Sequence, residues 1–211
     1  MGSLREILPD VFTVPSNGRK GFGFNLFVRR PAGNLMLDAS RVGLLTDAYG
    51  VLEAAGGVKA VIASDRHMAD RKTDGLRERF GAVVYASAIE AAALANRAVV
   101  DVALPFEPTV IEGDVALIPT PGHTPGQFTC LIEVGGARLL FTSDFVYRAG
   151  GRWAPGNPSR RKMRASFDRL RPLRFDYVVP WRSYDEPEDF VRVEGPIDAM
   201  VDEMIAACDR P

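Results

Sequence analysis

Histidine and cysteine are scarce in this 211-residue chain, with two of each. The cysteines, Cys130 and Cys208, lie far apart, show no CxxC spacing and sit in apolar surroundings. That excludes a disulfide framework and a paired-thiol redox motif, and both read as buried reduced thiols. Excess charge of either sign is also missing: the net charge is −1, which gives no bulk electrostatic reason to expect a nucleic acid or a membrane as partner. Met1 to Glu6 carries no charged stretch leading into an apolar run with a cleavage site, so no secretory signal is expected. No uninterrupted apolar run approaches the length of a membrane span. The expectation is a cytosolic protein.

What is present is apolar material enough for one substantial core, 46% of the residues. A single α/β domain over 1–211 is expected. Val11 to Ser16, Phe22 to Arg30 and Asn34 to Ser40 read as antiparallel strands, with Pro31-Ala32-Gly33 turning between the last two. Apolar residues at helical spacing from Leu44 to Ala55 stop at Gly56-Gly57, and Val58 to Ala63 is a buried strand. Gly75 to Phe80 and Ile89 to Arg97 read as helices, Val83 to Ser87 and Val100 to Leu104 as strands. The second half offers strands over Val110 to Pro119, Phe128 to Val134, Arg138 to Thr142 and Tyr177 to Pro180. Gly135-Gly136 makes a hairpin turn, and helices run over Ser159 to Leu170 and Ile197 to Cys208. Only Ala149 to Pro158, rich in Gly and Pro, reads as flexible. Two strand-rich halves, each ending in helices, suggest two sheets packed face to face with helices outside.

Three segments carry the chemistry. Ser64-Asp65-Arg66-His67-Met68-Ala69-Asp70 hangs from the end of the Val58 to Ala63 strand; Pro119-Thr120-Pro121-Gly122-His123-Thr124-Pro125-Gly126 and Phe141-Thr142-Ser143-Asp144 follow later. Both histidines of the chain fall within them. In order, these segments resemble the metallo-β-lactamase superfamily, the family of glyoxalase II and many thioester, phosphoester and lactam hydrolases, with Ser64 to Asp70 standing where HxHxDH is usual. The resemblance implies a four-layer αββα sandwich, in agreement with the element order above.

Carried over by that resemblance, a first metal would be held by Asp65, His67, His123 and Asp144. Asp65 replaces a histidine, exchanging a neutral nitrogen for an anionic oxygen without abolishing the site. The second metal loses its ligands: Ala69 stands at an Asp position, Asp70 at a His position, and Arg182, in Val179-Pro180-Trp181-Arg182-Ser183, at that of the last His. A guanidinium stays protonated and cannot ligate a metal, but it can pair with Asp70 and Asp144 where the second ion would sit. Ala69 also removes the family's water-orienting base, which leaves Asp70 and Asp144 as the carboxylates available for catalysis.

Three readings of function follow. The first is a single-metal hydrolase-like enzyme using one zinc or iron ion on a small, anionic ester or thioester. The second is a metal-free, inactive relative that binds a ligand or partner. The third is a mononuclear iron oxygenase acting on a thiol, suggested by the two-imidazole, one-carboxylate set His67, His123 and Asp144. Self-association into a homo-oligomer stays open. Asp38 matches a strand-ending LIDTG of the family and is expected to hold loop backbone beneath the site. Trp153 and Trp181 read as core packing or as pocket wall. Nine Arg or Lys from Arg148 to Arg174 face a single acid, while nine acids from Asp185 to Asp209 face one Arg. The two stretches either balance one another or leave a basic rim beside a pocket.

Overall fold

The computed structural model describes residues 3–14, 25–39, 48–156, 159–181, 183–184 and 188–209. The chain divides into two compact units, Met1–Phe106 and Glu107–Pro211.

In the first unit, strands β1 (Arg5–Leu8), β2 (Val11–Thr13), β3 (Leu26–Val28) and β4 (Leu35–Leu37) pair antiparallel in sequence order. Helix α1 (Ala48–Ala54) precedes β5 (Ala60–Ile62), α2 (Arg71–Phe80) leads to β6 (Val83–Ser87), and α3 (Ala88–Leu94) to β7 (Val102–Leu104). The sheet thus runs β1 to β7 in order and becomes parallel from β4 onward. Pro31 to Gly33 turns the β3–β4 hairpin as expected, with the Gly33 N–H donating to the Arg30 carbonyl at 3.1 Å. Gly56 and Gly57 end α1 in left-handed conformation, with the Gly57 N–H on the Leu52 carbonyl. β3, β4 and β5 are buried on both faces, and Phe27, Met36, Leu52, Val61, Leu76 and Val84 form a core with the helices. β1 was not expected: it is half exposed and carries Arg5 and Glu6, so no apolar run marks it. The expected helix start at Leu44 and parts of the first three predicted strands lie outside the described residues.

In the second unit, β8 (Thr109–Ile111), β9 (Val115–Pro119), β10 (Phe128–Val134) and β11 (Ala137–Ser143) form an antiparallel meander. Beyond it come the hairpin β12 (Val146–Ala149) and β13 (Arg152–Pro155), helix α4 (Arg160–Phe167), β14 (Tyr177–Pro180), β15 (Ser183–Tyr184), β16 (Val191–Arg192) and α5 (Ile197–Ala207). β14 pairs parallel with β11, which puts two strand C-terminal ends side by side. β12, β13 and β15 form a separate three-stranded sheet. Two expectations are corrected here. Val110 to Pro119 is a hairpin rather than one strand, because Glu112 and Gly113 take positive φ (52° and 85°) and reverse the chain. The stretch from Ala149, read as flexible, is regular as far as Pro155, since Gly150-Gly151 supplies the left-handed pair that a tight hairpin needs.

Trp153, Phe145, Met163, Phe167, Val178 and Met204 share the core of this unit, and Trp181 is buried as well. Both tryptophans are therefore packing residues, with the Arg148 guanidinium stacked over Trp153 at 5.0 Å. Cys130 and Cys208 are buried and not in a disulfide; burial pushes the Cys208 thiol above its ordinary value. The basic and acidic stretches meet inside this unit. Arg171 on the loop after α4 reaches Asp202 at 2.6 Å and Asp198 at 3.5 Å on α5, besides Asp168, and Arg164 pairs with Asp209. Asp202, Asp168 and Asp198 hold the Arg171 guanidinium more firmly protonated than usual. Among the described residues, no helix is long and apolar enough to cross a membrane.

Candidate metal centre

In the first unit, the segment Ser64 to Asp70 leaves the C-terminal end of β5, between two parallel neighbours. Its peptide groups are held one by one. The Ser64 N–H donates to Asp38 Oδ1 at 3.0 Å, and Asp38, fully buried with φ of 63°, performs the loop-holding task expected of it. The Arg66 N–H donates to Glu90 at 3.0 Å, the His67 N–H to Asp65 Oδ1 at 2.7 Å, and the Met68 N–H to the Asp65 carbonyl at 3.1 Å. The Met68 carbonyl accepts from the Ala39 N–H. Asp65 is fully buried while half of the His67 side chain is exposed, and His67 Nδ1 lies 3.5 Å from Asp65 Oδ1. A carboxylate offers about four lone pairs, so the bond from His67 N–H is compatible with ligation by Asp65.

The two remaining positions of that segment have other work. Ala69 is fully buried in a cluster with Ala63, Ala86, Leu94 and Ala98, so the side chain at the family's Asp position is part of the core. Asp70 is the N-cap of α2: its carboxylate accepts the Lys72 N–H at 2.9 Å, and the Thr73 hydroxyl accepts the Asp70 N–H at 3.1 Å. Arg182 lies outside the described residues.

In the second unit, the loop after β9 is pinned against α4. Ser166 Oγ donates to the Pro121 carbonyl at 2.7 Å, Arg169 to that of Pro119 at 2.6 Å, and the Ser159 N–H to that of Gly122 at 3.2 Å. His123 Nδ1 is bonded to the Gly156 carbonyl. A carbonyl oxygen only accepts, so Nδ1 carries the proton, which in the neutral ring leaves the lone pair on Nε2, the tautomer a metal ligand requires. Asp144 follows β11 through Ser143, whose φ of 50° bends the chain at the strand end. The turn is closed by the Phe145 N–H on the Thr142 carbonyl and by the Thr142 hydroxyl on the Val146 carbonyl. Asp144 Oδ2 lies 3.7 Å from His123 Nε2.

Two ligands each about 2.1 Å from a tetrahedral zinc ion stand about 3.4 Å apart. The Asp65–His67 and His123–Asp144 pairs, at 3.5 and 3.7 Å, have close to that separation and exceed an ordinary hydrogen bond. Each pair offers one carboxylate and one imidazole, donors that suit a metal ion. Residues that sequence reasoning missed are the supports. Glu90 follows Ser87 in an S-x-x-E pattern that reads as a capping box, and Gly156 is hidden in the Gly/Pro-rich stretch.

Several solved structures are similar. One is a Cronobacter sakazakii metallo-β-lactamase named for a HARLDQ motif, 21% identical, covering 86% of this chain and 78% of that one at a TM-score of 0.64. Another is described as the first B3 metallo-β-lactamase with an active-site glutamic acid, 15% identical over 99% of this chain and 90% of that one, with a TM-score of 0.69. A third, the Rm3 metallo-β-lactamase, is 17% identical over 99% and 93% at 0.65. At these identities the likeness speaks to the fold alone. No curated protein matches the chain. The model of the metallo-β-lactamase superfamily matches residues 42–180, more than half of the chain and a span that includes every donor described above. With strand-end carboxylates and imidazoles in both units inside that span, this chain belongs to the metallo-β-lactamase superfamily.

Proposed function

We propose that this protein is a metal-dependent, hydrolase-like enzyme that holds one zinc or iron ion through Asp65, His67, His123 and Asp144 and acts on a small ester or thioester. The observation that carries the reading is the spacing within each pair, 3.5 and 3.7 Å, the separation of donors that share an ion. A bound ion would acidify a water molecule and polarise a carbonyl. The chain supplies the rest. Gly156 holds the proton on His123 Nδ1 and keeps Nε2 a donor, and the buried Asp65 carboxylate anchors the His67 backbone. Of the two carboxylates proposed as proton acceptors, Asp70 is engaged as a helix cap, so Asp144 takes the role first.

The count of one rests on Ala69 and Asp70: an apolar core position and a committed cap do not serve a second ion. The same two observations favour the second reading, a metal-free relative that binds a ligand or partner. Elemental analysis of protein purified without added metal separates the readings. About one zinc per chain, with hydrolysis of a panel of esters and thioesters, supports the hydrolase. Iron with oxygen consumption on thiols supports the oxygenase, and no uptake after attempted loading leaves the binding protein.

A further inference from the structure

Glu90 is a fully buried carboxylate in the first turn of α3, with the Ser87 side chain capping its N–H at 3.1 Å. An ionised carboxylate taken out of water costs several kcal/mol unless it is paired and hydrogen-bonded. Arg66 supplies three such bonds. Its Nε donates to Oε2 at 2.6 Å, its Nη2 to Oε1 at 3.2 Å, and its own backbone N–H to Oε2 at 3.0 Å. A side chain that grips guanidinium and peptide N–H together fixes both the position of Arg66 and the plane of the peptide joining it to Asp65. Arg66 is the residue between the two donors of this unit. Fixing it fixes the directions in which residues 65 and 67 leave the backbone.

We infer that Glu90 is a positioning residue for the metal: through Arg66 it holds Asp65 and His67 in the arrangement that lets both bind one ion. The inference rests on the single-ion reading above. The alternatives for a buried acid at this position are a plain core ion pair or a helix-start acid, and neither needs the third bond, to the backbone between two donors. A grip of the same kind away from the donors is at hand for comparison in Asp101, which accepts from the Arg77 guanidinium at 2.7 Å and from the Val84 N–H at 3.0 Å.

The test compares the wild-type protein with Glu90→Ala, Glu90→Gln and Asp101→Ala. For each, the cobalt(II) dissociation constant is measured by competition with a chromophoric chelator, together with the visible spectrum of the bound cobalt and the melting temperature of the metal-free form. Loss of a support behind a ligand costs about 10–100-fold in metal affinity, and Glu90→Ala is expected to show that loss with an altered cobalt spectrum. Glu90→Gln keeps an oxygen for the Arg66 N–H while losing the charge, and is expected to fall between Ala and wild type. Asp101→Ala is expected to lower the melting temperature and leave affinity and spectrum alone. If Glu90→Ala does not fold, Glu90→Gln decides. Variants at Glu90 that melt earlier yet bind cobalt with the wild-type constant and spectrum overturn the inference and leave the single-ion reading standing. Wild-type protein that binds no cobalt overturns that reading, and the inference with it.

Discussion

Gly122 lies against Met163 so closely that a Cβ on Gly122 would overlap Met163 Cγ and stand 3.1 Å from both its Cα and its backbone nitrogen. The residue before His123 is thus a glycine because α4 passes directly over it. Gly122→Ala is expected to push the loop off the helix and destabilise the protein by about 1–3 kcal/mol, the usual range for an overpacked site. Urea denaturation reads the loss, and a variant as stable as wild type would show that the helix and loop can part without cost.

His123→Ala should cut metal content sharply, because it removes an imidazole whose tautomer is set by Gly156. Elemental analysis of wild type and variant prepared side by side checks this. Unchanged loading would take His123 out of the site.

Asp70 can be asked whether it caps or catalyses. Asp70→Asn keeps an oxygen for the Lys72 N–H and should preserve stability, while Asp70→Ala should cost about 1 kcal/mol through the lost cap. If the carboxylate is only a cap, turnover of any ester the protein accepts stays the same in Asn; a collapse of turnover in that variant would make Asp70 the proton acceptor instead.

Restoring the family's second ligand set, Ala69→Asp with Asp70→His and Arg182→His, should raise metal content towards two ions per chain only at a cost in stability. A carboxylate among Ala63, Ala86, Leu94 and Ala98 is stripped of water, and an unsatisfied buried polar group costs about 1–3 kcal/mol, more when charged. Denaturation and elemental analysis of the triple variant give both quantities. A folded triple variant that keeps the original content would argue against Arg182 standing in for an ion.

The order of elements was legible because apolar runs of strand length end at glycine or proline through most of the chain, as at Gly56-Gly57 and Pro31-Ala32-Gly33. Asp38 and the loop carrying His123 were legible for the same local reason: each sits immediately after such a run. The sites that escaped are those whose meaning is decided far away in sequence. Glu90 explains itself locally as a cap, and its grip on Arg66 spans 24 residues. Gly156 lies 33 residues from the ring it orients. The β12–β13 hairpin was missed because glycine and proline mark flexible and tightly turned backbone alike. Ala69 and Asp70 were visible as departures from the family pattern, while their roles in the core and at the start of α2 depended on packing that one strand's sequence does not contain.

The pairing of Arg164 and Arg171 with carboxylates on and beyond α5 gives the basic stretch built-in counterions. Adjacent opposite charges cancel one another's potential within a Debye length, about 8 Å at physiological ionic strength. Added salt would therefore loosen the grip of the last helix on its neighbour.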